Sequence, residues 1–259
     1  MAILDTFEEK ALRQISVDLP DNIRSRFLTL VMNNQELFVT SRNQLGISRL
    51  PMLELKLKEG CYPKMQRPYR MSEMQLKATR ETVQDLLDGG QASPSCSEIA
   101  APTHLVLKKD KKWRMVIDYR NLNSCLEGIA YPLPNIESNL AELAESKFYA
   151  VFDMFAGYEQ IGIEPSSRYL TAFVTPDGLY EMNACPYGIS TLPGHFSKCM
   201  AMVLGDLRWQ GALNYLDDVM LHSRTPEGLL KLTEQFFYNC HEWRIKLKLE
   251  KKCNGFSRG

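Results

Sequence analysis

The stretch "ALNYLDDVMLHS", residues 212–223, limits what this chain can fold into. Apolar residues run up to Asp217 and Asp218 and continue beyond them, so two adjacent carboxylates stand in the middle of a strand-forming sequence. Two unit charges ~4 Å apart repel by roughly 4 kcal/mol at an effective dielectric of 20. In a regular strand the pair would point to opposite faces; at a tight turn both can project near the tip. The pattern predicts a hairpin with the acids at its turn. Two environments tolerate them there: water around an exposed turn, or a divalent cation.

A third acid bears on that choice. "KFYAVFDM" reads as an apolar strand that ends on Asp153. If this strand neighbours the hairpin, three carboxylates converge. Hard oxygen donors with no His or Cys beside them suit Mg²⁺ or Mn²⁺ rather than zinc. Such a cluster can hold two ions ~4 Å apart and serve a phosphoryl transfer.

The remainder of the chain reads as an α+β domain or pair of domains. Its 259 residues are 44% hydrophobic, enough to bury a core. "MLELKLK" (52–58) alternates like a strand. Ser72 is an N-cap for a helix that Gly89 and Gly90 end. "THLVLKKDKKWRMVIDYR" and "YLTAFVTPDGLYEMNAC" read as hairpins. Helices are expected in "LPDNIRSRFLTLVMNN", "YPLPNIESNLAELAES", "GHFSKCMAMVLGDL" and "PEGLLKLTEQFFYNCHEWR", and a last strand in "IKLKLEKKC". Interleaved strands, hairpins and helices predict a mainly antiparallel sheet with helices packed on one face.

Net charge is zero, but it is segregated. Residues 61–80, 103–120 and 244–258 carry net charges of +4, +4 and +5, and residues 121–243 carry −9. Basic segments of this kind can track a polyanion, and an acidic centre can collect cations; ordinary solvated surface is the alternative. No apolar run approaches the ~20 residues that span a bilayer, and the N-terminus lacks the basic-then-apolar order of a signal peptide. An intracellular, cytoplasmic protein with reduced thiols is expected from the seven scattered cysteines, which show no zinc-like spacing.

"YLDD" between apolar runs resembles the catalytic hairpin of reverse transcriptases. The other pieces follow in that family's order: "RPYRMS", "KKDKKWRMVIDYRNLN", "YPLPNIESNL", "FDMFAGYEQIGI", "YLTAFVT", "GLYEMNACPYGI" and "YLDDVMLHSRTPEGLL". The chain resembles the polymerase of gypsy-type LTR retrotransposons, akin to retroviral enzymes, over about residues 52–256. The resemblance implies the fingers and palm of a right-hand polymerase, with the family's thumb, connection and RNase H segments outside this sequence. It places fingers at 61–127 and 161–190, palm at 128–160 and 191–259, and a linker at 1–60.

It further implies an RNA-directed DNA polymerase using two Mg²⁺ or Mn²⁺ ions. Its partners would be an RNA or DNA template, a primer strand, dNTP and the rest of a polyprotein or larger complex, with virus-like particles as the setting and no membrane. Asp153, Asp217 and Asp218 would be catalytic and hold the metal. Lys108 or Lys109, with Arg114, would grip the triphosphate. Tyr158 would lie beneath the sugar and exclude a 2′-OH, and Tyr187 would stack near the base or sugar. Arg120 would reach the template backbone or pair with Asp118. Core packing is the competing role for Tyr158 and Tyr187, and the expected role for Trp113, His195 and Cys199. Two departures stand out: the fingers turn has Lys111 after Asp110 where the family has a glycine-bearing turn, and "STLPGHF" replaces the family's Asn-Ala-Pro segment. A domesticated, non-catalytic relative with a structural or RNA-binding role is the alternative reading.

Overall fold

The computed structural model describes residues 6–107, 113–129, 131, 143 and 145–249. Local sequence accounts for most element boundaries. Helix α1 (Phe7–Gln14) starts at a capping box between Thr6 and Glu9, and α2 (Asp21–Asn33) follows Pro20. Helix α3 (Glu73–Asp88) is capped by Ser72, whose side chain accepts from the Gln75 N–H while the Gln75 side chain returns to Ser72; Gly90 then turns away at φ 66°. The later helices are α4 (Arg120–Cys125), α5 (Leu192–Leu204) and α6 (Pro226–Trp243).

The chain forms two compact units, each discontinuous in sequence: residues 1–40, 132–157 and 197–259, and residues 41–131 and 158–196. In the first, β4 (Phe148–Met154), β7 (Ala212–Tyr215), β8 (Asp218–Ser223) and β9 (Leu247–Lys248) make an antiparallel sheet in the order β7-β8-β4-β9. Ala150, Phe152 and Met154 of β4 and Val219 and Leu221 of β8 are buried. Phe152 meets Phe236 and Phe237 of α6, each with ring centroids 5.3 Å away. With a side-chain period of two, burying Phe152 and Val219 sends Asp153 and Asp218 to the other face.

In the second unit, β1 (Ala92–Pro94), β2 (Ala101–Leu107), β3 (Trp113–Ile117), β5 (Phe173–Thr175) and β6 (Gly178–Met182) form a sheet in the order β1-β6-β5-β2-β3. The expected hairpins are present as β2–β3 and β5–β6, and β2 and β5 run parallel. Among the described residues there are thus two sheets, one of them mixed. Residues 52–58 do not form the expected strand. Leu53 and Leu57 make only single bridges, to Ile163 and Leu126, although the predicted alternation survives in the burial of Leu53 and Leu55. The thiol expectation also needs correction, because Cys61 and Cys125 form a disulfide. The helix expected in "YPLPNIESNLAELAES" lies almost wholly outside the described residues.

Gly211 leads into β7 at φ 117°. Its carbonyl accepts from the His222 N–H at 2.8 Å, and a Cβ at this position would run into the His222 carbonyl oxygen. Backbone cannot yield as a side-chain tip can. Gly211→Ala is expected to destabilise the fold by about 3 kcal/mol, combining positive-φ strain with the clash. Urea denaturation checks this, and a loss below about 1 kcal/mol would show that β7 can shift freely.

Candidate active site

The carboxylates belong to the first unit. The β4–β8 ladder sets Asp153 directly opposite Asp218. In an antiparallel pair such residues share a face, with Cβ atoms about 4.5–5.5 Å apart. Asp217 occupies the two-residue turn between Tyr215 and Asp218, and its carbonyl accepts from the Met154 N–H at 3.0 Å, which ties the turn to the end of β4. The sequence-predicted hairpin is therefore present, and its neighbour is the strand carrying Asp153.

The backbone here is strained on both sides. Leu216, first in the turn, has φ 54°, and Ala156, three residues after Asp153, has φ 47°. A non-glycine residue at positive φ costs on the order of 1 kcal/mol, and such strain concentrates at functional sites. All three carboxylates are half-buried. Among the described residues, however, no three His, Cys, Asp or Glu side chains are gathered into a group that could hold a metal ion. The expected convergence is thus met by the backbone and not yet by the side chains. The donor set fits a hard divalent ion by chemistry.

Sequence reasoning missed Lys248. On β9 it is the register partner of Asp153, so one cross-strand row reads Tyr215, Asp218, Asp153, Lys248. A cation beside two like charges offsets their repulsion. Nothing in the local sequence singles it out from its neighbouring lysines, because only the register selects it.

The second unit gathers another set of predicted residues. The Arg114 guanidinium lies 5.0 Å from the centroid of the Tyr187 ring. Tyr187 in turn meets Tyr158 at 5.2 Å, and Tyr158 meets Phe196 edge-on at 5.0 Å. Phe196 is buried while Tyr187 is exposed, so the chain of rings runs from core to surface. Lys108 and Lys109 lie outside the described residues. Trp113 is half-buried. The His195 Nε2 meets the Pro51 carbonyl at 2.8 Å, and Cys199 is fully buried; both have the packing roles expected of them.

Arg120 pairs with Asp118. Its Nε donates to Oδ1 at 2.8 Å and its Nη2 to Oδ2 at 2.6 Å, with Tyr69 Oη donating to Oδ2 at 3.3 Å. This fork, chiefly the Arg120 hydrogen bonds, pulls the Asp118 carboxyl down to about 2. A depressed carboxyl stabilises the fold fully above its unfolded value and loses that contribution as pH falls through the folded one, so the window is about pH 4 to 2. Arg120→Gln should move the Asp118 titration, followed by carboxyl NMR, up toward the ordinary carboxylate range. Lys248→Met should cost about 0.2–1 kcal/mol at low ionic strength and less in high salt, measured by urea denaturation.

Comparison with known proteins agrees with this geometry. The family described as "Reverse transcriptase (RNA-dependent DNA polymerase)" matches residues 106–257. The chain is 29% identical over 251 residues to the retrovirus-related Pol polyprotein from transposon 412 of Drosophila melanogaster, covering 95% of this chain and 20% of that protein. It is 31% identical over 178 residues to the transposon Tf2-3 polyprotein of Schizosaccharomyces pombe, covering 69% of this chain and 13% of that protein. The chain thus spans a fifth or less of the length of these polyproteins. The fold matches the foamy viral protease-reverse transcriptase in complex with RNA/DNA hybrid at a TM-score of 0.85 and 23% identity, covering 95% of this chain and 32% of that one. Prototype foamy virus protease-reverse transcriptase matches at 0.83 and 25% identity, covering 94% and 32%. The fold is that of polymerase fingers and palm, and the chain belongs to the reverse transcriptase (RNA-dependent DNA polymerase) family.

Proposed function

We propose that this chain carries the catalytic core of an RNA-directed DNA polymerase that extends a primer on an RNA or DNA template. The observation that carries this reading is the register of Asp153 against Asp218, with Asp217 held beside them on a strained turn. Asp153, Asp217 and Asp218 would hold two Mg²⁺ or Mn²⁺ ions, whose charge would favour ionisation of the attacking hydroxyl and offset charge on the phosphate oxygens. In the transfer the primer 3′-oxygen bonds to the α-phosphorus, the bond to the β-phosphate bridging oxygen breaks, and pyrophosphate leaves. Arg114, with Lys108 or Lys109, would bind the triphosphate as charge-assisted donors. Tyr187 and Tyr158 would enclose the base and sugar, and the Arg120–Asp118 fork would present its remaining donors to the template backbone.

Residues 61–127 and 161–190 are assigned to fingers and 128–160 and 191–259 to palm. By analogy with the polyproteins it resembles, this core would act as part of a longer intracellular product. One observation favours a second reading, a non-catalytic nucleic-acid-binding relative: the three carboxylate side chains do not form a metal-holding group as they stand.

Primer extension on an RNA template with dNTP and Mg²⁺ or Mn²⁺ separates the two. Asp218→Asn is expected to lower extension at least a hundredfold, as loss of a charge-neutralising ligand should. Equal extension by the variant would rule out the carboxylate assignment, and a wild-type chain that binds template–primer without extending it would favour the second reading. Tyr158→Val should reduce the preference for dNTP over rNTP, which a close-packed ring sets at about ten- to a hundredfold. An unchanged ratio in single-nucleotide extension would leave Tyr158 with a packing role alone.

A further inference from the structure

Glu159 follows Tyr158 and is a buried acid that the reading above does not use. Its side chain is 6% exposed. Arg42, from a segment 117 residues away, faces it with a fork: Nη2 donates to Oε1 at 2.8 Å and Nε lies 2.8 Å from Oε2. Both residues line a cavity of about 310 Å³ whose wall also includes Arg114, Pro186, Tyr187 and Gly188. One buried carboxylate therefore serves a cavity with two guanidinium groups. Burial raises the Glu159 pKa, while Arg42 first and then Arg114 oppose the rise.

We propose that Glu159 is a positioning residue: clamped by Arg42, its carboxylate biases the Arg114 guanidinium toward its place over the Tyr187 ring. A cation–π contact at an exposed site is worth less than the rotamer entropy an arginine loses on being held. Tyr187 is exposed, so its ring alone holds Arg114 only weakly. A buried negative charge on the wall of the same cavity adds a second attraction for that guanidinium. Arg42 engages the carboxylate and opposes the upward pull of burial on the Glu159 pKa. Because Arg42 engages the carboxylate, Arg114 is attracted without being locked into an ion pair, and its donors stay available to a phosphate. The kinetic consequence rests on the polymerase reading; the geometric claim does not.

The test uses the full chain and two readouts. By NMR, the Arg114 side-chain protons in wild type should show an upfield ring-current shift that Tyr187→Leu abolishes. Glu159→Gln, nearly isosteric and uncharged, should lose at least about half of that shift, and Glu159→Asp should retain more of it than Glu159→Gln. Should Glu159→Gln fail to fold, the joint replacement Arg42→Met with Glu159→Met leaves no buried charge unpaired and should show the same loss. In primer extension, Glu159→Gln should raise the KM for dNTP about five- to tenfold with kcat changed less than about twofold. A full ring-current shift in the uncharged variant overturns the proposal, as does an equal loss in Glu159→Asp and Glu159→Gln, which would mean shape and not charge sets the position. Absence of extension by wild type would count against the polymerase reading and leave the NMR comparison to decide this inference.

Discussion

The register between β4 and β8 is the constraint on which the acidic site depends. Side chains alternate with a period of two, so a slip of one residue would turn Asp153 toward α6 and expose Phe152. Phe152 cannot leave, because its ring sits against Phe236 and Phe237 and Val219 is buried opposite it. The apolar face thus fixes which way the carboxylates point. Fully burying a large apolar side chain is worth ~1.5–3 kcal/mol, and Phe152, Met154, Val219 and Leu221 are buried together, so the core outweighs even a repulsion of roughly 4 kcal/mol on the other face.

The remaining features of that face limit the repulsion or make use of it. Lys248 provides an opposite charge beside Asp153. The Met154 N–H holds the Asp217 carbonyl, so the turn cannot relax away from the strand even though Leu216 sits at φ 54°. A glycine would adopt that conformation without strain. Holding a leucine there is a local cost of the kind that surrounding structure sustains at functional positions.

A similar balance recurs in the second unit with the signs reversed. There Arg42, Arg114 and Glu159 share a cavity wall, and a ladder of rings from Phe196 through Tyr158 to Tyr187 carries the packing of the interior out to an exposed arginine. Each unit therefore seats its charged groups on an apolar foundation. In neither do charge pairs decide the fold: exposed pairs contribute too little, and a partly buried pair such as Arg42–Glu159 loses much of its attraction to desolvation.

The linear sequence determined the hairpin at Asp217 and Asp218, the strand ending on Asp153, the Ser72 cap and the β2–β3 and β5–β6 hairpins, because each is a local matter of periodicity, turn chemistry or capping within some twenty residues. It also carried the family, through motifs whose order is linear by nature. It misjudged residues 52–58, whose alternation is real but whose partners offer only single bridges at Leu53 and Leu57. It read the cysteines as reduced thiols where Cys61 and Cys125 form a disulfide, left open whether Arg120 pairs with Asp118, and did not mark Lys248 or the Arg42–Glu159 pair. These were settled only by tertiary structure, because each depends on which distant segment lies alongside, and no local propensity encodes a contact between residues 42 and 159.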